Sequence, residues 1–109
     1  MKLRVWALCA ASALVMLIST PVTAQAEAAP SNCPSGYICG YDWKDYTGNR
    51  VVSRPGEFHR YDPPAFSVYN NTPNSVWIYT DEACTQQEGP IPPDSGLSNT
   101  YAYCAWAPA

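Results

Sequence analysis

The sequence has little positive charge, one histidine and no helical rhythm. Beyond its first residues the only cations are Lys44, Arg50, Arg54 and Arg60. Affinity for a phosphate backbone rests on clustered Lys and Arg, so nucleic acid is excluded as a partner, and anionic lipid with it. His59 stands alone in Phe58-His59-Arg60-Tyr61, a setting that reads as strand surface. Zinc would need closely spaced Cys-Cys or Cys-His pairs, so no metal is assigned to these groups. No Gly-rich phosphate loop and no nucleophile motif is present. The acidic pairs, Asp42 with Asp45 and Asp81 with Glu82, fall at expected hairpin exits, where carboxylates are solvated. The chain therefore reads as a non-enzyme without a cofactor. Prolines interrupt every window long enough for a helix, and nothing after residue 26 is apolar enough to span a bilayer.

The first 26 residues read as a signal peptide. Lys2 and Arg4 supply its charge, Ala7 to Ile18 its apolar run, and Ala24-Gln25-Ala26 a small-x-small cleavage site. Val22-Thr23-Ala24 is a second acceptable site, and Cys9 leaves with the peptide. The apolar run is shorter than the ~20 residues a spanning helix needs. Residues 27–32 form a flexible leader, and residues 33–109 one small domain. Four cations then stand against nine carboxylates, a formal charge of −5. The expected product is secreted, extracellular, monomeric and free of any membrane attachment.

Four cysteines remain in an oxidising compartment, Cys33, Cys39, Cys84 and Cys104. They read as two disulfides, with three possible connectivities. The rest of the chain is punctuated as an all-β protein. Strands are expected at 36–42, 49–54, 57–61, 65–70, 75–80, 86–91 and 100–106, within a count of eight short strands in two sets of four. Pro55-Gly56, Asp62-Pro63-Pro64, Asn71-Thr72-Pro73-Asn74 and Pro92-Pro93-Asp94-Ser95-Gly96 are the turns between them. Alternation of Phe66 and Val68 with Ser67 and Tyr69 marks 65–70 as a half-buried strand.

The densest pattern lies in CPSGYICGYDWKDYTGNRVVS, residues 33–53. Ile38, Gly40, Tyr41, Asp42, Tyr46, Gly48 and Ser53 are spaced as in the hairpin signature of the βγ-crystallin fold. Tyr46 is expected to fold back over Tyr41, ring on ring, with Gly48 in a left-handed position that a Cβ would oppose. A second, degraded copy places Tyr79-x4-Cys84 where the first has Tyr41-x4-Tyr46, with Gln86 in place of the glycine. The fold expected is two Greek-key motifs, about 33–71 and 72–106, forming one small, disulfide-stabilised βγ-crystallin-like sandwich. A Cys84–Cys104 bridge is inferred to do covalently what the folded-back aromatic does in the first copy.

This stretch, followed by FSVYNNT at 66–72, resembles the Streptomyces metalloproteinase inhibitor family of small secreted proteins. The resemblance implies a βγ-crystallin-like fold and a short N-terminal disulfide loop, here Cys33 with Cys39 across the Pro34-Ser35-Gly36 turn. It also implies a secreted protease as partner, with metalloproteases the first choice. In the family the enzyme is engaged at a second short disulfide loop. Cys84 and Cys104 are too far apart to form one, so no reactive bond is carried across.

Two further stretches suggest sites. Asn70-Asn71-Thr72-Pro73-Asn74-Ser75 resembles a crystallin calcium turn, with Asn70, Asn71 and Ser75 as candidate ligands. All of these side chains are neutral, whereas Ca²⁺ favours carboxylates, so the site is a weak candidate. Pro90, Ile91 and Pro92 form the candidate inhibitory loop, in which prolines reduce the entropy lost on binding and Ile91 is the side chain offered to a pocket. The alternative function is a killer-toxin-like antimicrobial of crystallin-like fold. That class calls for a basic or amphipathic face, and this chain is acidic.

Overall fold

The structure, a computed structural model, describes residues 30–109. The expected signal peptide and the start of the leader lie outside that range. Eight strands follow in order: β1 Tyr37–Tyr41, β2 Arg50–Ser53, β3 Phe58–Ala65, β4 Ser67–Asn71, β5 Val76–Tyr79, β6 Gln87–Ile91, β7 Ser95–Leu97 and β8 Ala102–Trp106. No helix occurs among the described residues. They form two four-stranded antiparallel sheets, ordered β2-β1-β4-β7 and β3-β8-β5-β6. Each half of the chain thus gives three strands to one sheet and lends its third strand to the edge of the other.

Two elements differ from the sequence expectation. β3 runs on through Asp62-Pro63-Pro64, which the turn chemistry marks as its end. Proline lacks the N–H of a ladder bond, but β3 is an edge strand, where that loss is tolerated. Its register against β8 shifts between Arg60 and Ala65. β7 lies within the expected Pro92–Gly96 turn and just beyond it, pairing Ser95, Gly96 and Leu97 with Asn70, Tyr69 and Val68.

The main core lies between the sheets. Ile38 and Val68 meet Tyr61, Ala65, Val76, Ile78, Ile91, Ala102 and Ala105 from the facing strands, with Ala107 beyond β8. Tyr61 reaches across so closely that a Cβ at Gly40 would overlap its ring, which explains the glycine there. Burial pushes the Tyr61 phenol well above its ordinary value, with the Ser53 hydroxyl opposing the shift. A second cluster covers the outer face of the first sheet, formed by Cys33, Cys39, Tyr41 and Tyr69 with Tyr37 and Tyr46 against them. β4 is consequently buried on both faces from Ser67 to Asn70, not half-buried as its alternation suggests.

The Cys33–Cys39 and Cys84–Cys104 bridges are both present, each with Cα atoms 5.9 Å apart. The first closes a loop over the outer face of the first sheet. Asn71 Nδ2 donates to the Cys33 carbonyl at 2.8 Å, the Tyr41 hydroxyl donates to Asn32 Oδ1 at 2.8 Å, and the Arg50 guanidinium bonds the Asn32 carbonyl.

The two sheets carry matching hairpins. After β1 the chain turns back with Tyr46 at φ 58° and Gly48 at φ 87°. The Tyr46 ring meets Tyr41 edge-on at 5.9 Å and Tyr69 at 5.7 Å. Its backbone N–H donates to Ser67 Oγ at 2.9 Å, and that hydroxyl donates to the Trp43 carbonyl at 2.7 Å. Asp42 closes the turn by accepting Asn49 N–H at 2.7 Å and Asn49 Nδ2 at 3.0 Å. After β5, Cys84 sits at φ 58° as Tyr46 does, and its sulfur is bonded to Cys104 on β8. Tyr41 pairs with Ser67 across β1 and β4, and Tyr79 with Cys104 across β5 and β8. Asp81 closes this second turn, accepting Thr85 N–H and Gln86 N–H at 2.7 Å and the Thr85 hydroxyl at 2.6 Å.

Candidate inhibitory loop

β6 is an edge strand, and the ladder that joins it to β5 is uneven. Val76 pairs with Ile91 and Ile78 with Glu88, so β6 holds one residue more than β5 over this span. That bulge falls at Gly89-Pro90. Gly89 has φ 126°, and a Cβ there would crowd the Val76 carbonyl at 3.2 Å and Ile91 N at 3.3 Å. Only glycine suits both the angle and the approach. From Gln86 to Pro90 the chain is exposed, and from Pro92 to Asp94 again.

Ile91, between these exposed runs, is fully buried in the core between the sheets. The expectation that it offers its side chain to a pocket is therefore corrected. It is the anchor of the loop, and Pro90 and Pro92 are exposed on either side of it. The reason is register: Val76 pairs with Ile91 as Ile38 pairs with Ser53, and both partners close the core at the end of a second strand. Local sequence shows Ile91 flanked by prolines; the internal repeat shows it facing inward.

The loop is held from outside by Asn70. This buried carboxamide donates through Nδ2 to the carbonyls of Ile91 at 3.0 Å, Pro92 at 3.1 Å and Asn74 at 2.7 Å. Its Oδ1 accepts Thr72 N–H at 3.0 Å and the Thr72 hydroxyl at 2.7 Å. The Asn70 carbonyl accepts Asp94 N–H at 2.8 Å, and Ser95 Oγ donates to the Pro93 carbonyl at 3.3 Å. One residue, by side chain and backbone, thus fixes both the turn at 70–74 and the start of the loop at 91–94.

The calcium reading of Asn70, Asn71 and Ser75 is changed by the same contacts. Asn70 Oδ1 is engaged by two donors, and Asn71 turns its amide to Cys33 instead of to a common centre with Asn70. No grouping of three His, Cys, Asp or Glu side chains suited to a metal occurs among the described residues. One carboxylate of each acidic pair is likewise structural. Asp42 and Asp81 each cap a hairpin, and the Gln86 N–H and then the Thr85 hydroxyl hold Asp81 below the usual carboxylate range. His59 stacks edge-on against Tyr61 at 5.0 Å. Among the described residues these contacts bring no pair of groups together for proton transfer or nucleophilic attack.

What the arrangement can do is bind: a disulfide-pinned β-sandwich presents a stiff exposed loop at one edge. The sequence model of peptidase inhibitor family I36 matches residues 26–89, more than half of the chain, and the chain belongs to that family. It is a peptidase inhibitor by family and not an enzyme. The match ends at Gly89, so β7, β8 and the segment after Gly89 lie beyond it. No curated protein and no solved structure matches the chain.

Proposed function

We propose that the chain acts outside the cell as an inhibitor of an extracellular metallopeptidase, engaging it through the exposed residues on either side of Ile91. The observation that carries this is the Asn70 clamp on an exposed proline-rich loop. Ordering a loop on binding costs about 0.5–1.5 kcal/mol per immobilised side chain, and a loop already fixed avoids much of that cost. The metallopeptidase class is drawn from the resemblance of residues 33–53 and 66–72. The two disulfides and the family suit an extracellular setting. We read each half as a Greek key of βγ-crystallin type, supported by the exchange of third strands between sheets and by the paired hairpins.

The test is titration of a panel of secreted metallo- and serine peptidases with the disulfide-bonded protein. Inhibition of a thermolysin-type enzyme is expected. Replacing Pro92 and Pro93 together by glycine should weaken it about tenfold or more, because the loop must then be ordered on binding. No inhibition across the panel at micromolar protein would refute the activity. Full inhibition by the glycine variant would move the contact away from this loop.

A further inference from the structure

The charges of this protein are divided along the chain. From Tyr61 to Ala109 there are five carboxylates, Asp62, Asp81, Glu82, Glu88 and Asp94, and no Lys, Arg or His. The four cations of the described residues all precede Tyr61.

Beside β6 a groove of about 480 Å³ opens between Glu88, Gly89 and Pro90 on one side and Asn99, Thr100 and Tyr101 on the other, while Arg60 of β3 is turned to Cys84 and Cys104 in the same sheet. Glu88 is the one charged residue in its lining. Asn99 also borders a smaller cleft of about 170 Å³ beside Trp43, Lys44 and Phe66. An aromatic row joins the two. Tyr101 is 43% exposed and meets Phe66 at 5.1 Å; Phe66 meets Trp43 at 6.2 Å, and Trp43 is 59% exposed. The surface is therefore continuous from the candidate loop to Trp43. Exposed Trp and Tyr that cover no core of their own are the residue types that dominate binding surfaces.

The chemistry of the groove selects its occupant. A carboxylate without an internal cation accepts a guanidinium through charge-assisted hydrogen bonds. An exposed tyrosine ring offers a face on which a guanidinium stacks. Asn99 and Thr100, which also line the groove, add neutral polar groups. Lys44, at the far end of the row, repels a second cation, so the apolar part of an incoming segment would lie over Phe66 and Trp43. We propose that this groove seats an arginine side chain on a cationic segment of the partner protein, next to the inhibitory loop. That the partner is a peptidase rests on the function proposed above; the preference for arginine rests on the groove.

A small probe separates the two. The disulfide-bonded protein is titrated with acetyl-arginyl-glycinamide while its amide resonances are followed by NMR, with the citrulline counterpart as the neutral isostere. Arginine-dependent shifts are expected at Glu88, Asn99, Thr100 and Tyr101, with little response to citrulline. Glu88→Gln should weaken binding about fivefold or more, the loss of one charge-assisted contact. Tyr101→Leu should weaken it independently, through loss of the ring face. Glu88 and Tyr101 are exposed, so both variants are expected to keep the wild-type spectrum elsewhere. Equal response to the two probes, or shifts lying outside the groove, would overturn the proposal. Probe binding without inhibition of any peptidase would support the groove and remove the peptidase as its partner.

Discussion

The hairpins that follow β1 and β5 reach the same backbone shape by different chemistry. In the first, Tyr46 lies against Tyr41 and Tyr69, and its N–H rests on the Ser67 hydroxyl. In the second, Cys84 has the φ of Tyr46, and Cys104 occupies the register position of Ser67. A serine hydrogen bond and an aromatic contact in one half are replaced by a disulfide in the other. The outer faces differ accordingly. The first sheet has the Cys33–Cys39 loop and Tyr46 over it, whereas the second carries Trp77 against Trp106 at 6.1 Å and Phe58 against Tyr79 at 5.4 Å. A buried aromatic cluster can hold a hairpin only where something covers it, and the uncovered half uses a covalent tie.

The equivalent positions Ser53 and Ile91 give the largest expected asymmetry. Ile91→Ala removes a fully buried side chain from the core and should cost about 2–5 kcal/mol, whereas Ser53→Ala should cost under about 1. Urea denaturation of both variants measures it. A near-neutral Ile91→Ala would mean that the side chain does not close the core.

Next in size is the tie itself. Replacing Cys84 and Cys104 together by alanine should lose about 2–4 kcal/mol, since the bridge spans 20 residues. Ser67→Ala, its counterpart, should lose about 1–3 kcal/mol by leaving Tyr46 N–H and the Trp43 carbonyl without that partner. Thermal midpoints rank the two, and a larger loss from Ser67→Ala would reverse the comparison. A substitution sharpens it further. If the register equivalence is right, Tyr46→Cys with Ser67→Cys should oxidise to a third bridge, detected by peptide mapping of the unreduced protein. Two free thiols there would show that the halves match in backbone angle but not in side-chain direction.

Much of this was readable in advance where local chemistry is specific. Tyr41, Tyr46 and Gly48 mark the first hairpin because a left-handed backbone position needs glycine and a folded-back ring needs that spacing. The cysteines announced two bridges by number and compartment. Ile91 was hidden because prolines flank it, and local sequence does not show which way a residue at a bulge points. β7 was hidden for a related reason: it has only three residues, two of them Ser95 and Gly96, and it exists because β4 offers a free edge. The role of Ser67 needed tertiary structure, since its partners lie 21 and 24 residues earlier. The aromatic row of Trp43, Phe66 and Tyr101 comes from three separate segments and has no sequence pattern at all.

The smallest expected effect is on pH. Hydrogen bonds to the Asp81 carboxylate lower its pKa in the folded protein, so their contribution is present above the unfolded carboxylate range and is lost as pH falls through the folded value. Asp81→Asn should flatten the acid limb of the stability curve, followed by thermal melts from neutral pH downwards. An unchanged acid limb would mean that the carboxylate is matched equally well in the unfolded chain.

The Asn70 clamp has a consequence for how such a loop can vary. It grips the carbonyl oxygens of residues 91 and 92 and the N–H of residue 94, never a side chain of the loop. The path of the chain at its exposed tip is thus written in part into β4, in the opposite half of the molecule. Positions 92 and 93 can change side chain, glycine apart, without losing these contacts, while Asp94, at φ 57°, is held to residues that tolerate a left-handed backbone. Recognition and architecture are encoded by different residues here, and a lineage or an engineer could retarget the tip without rebuilding the scaffold.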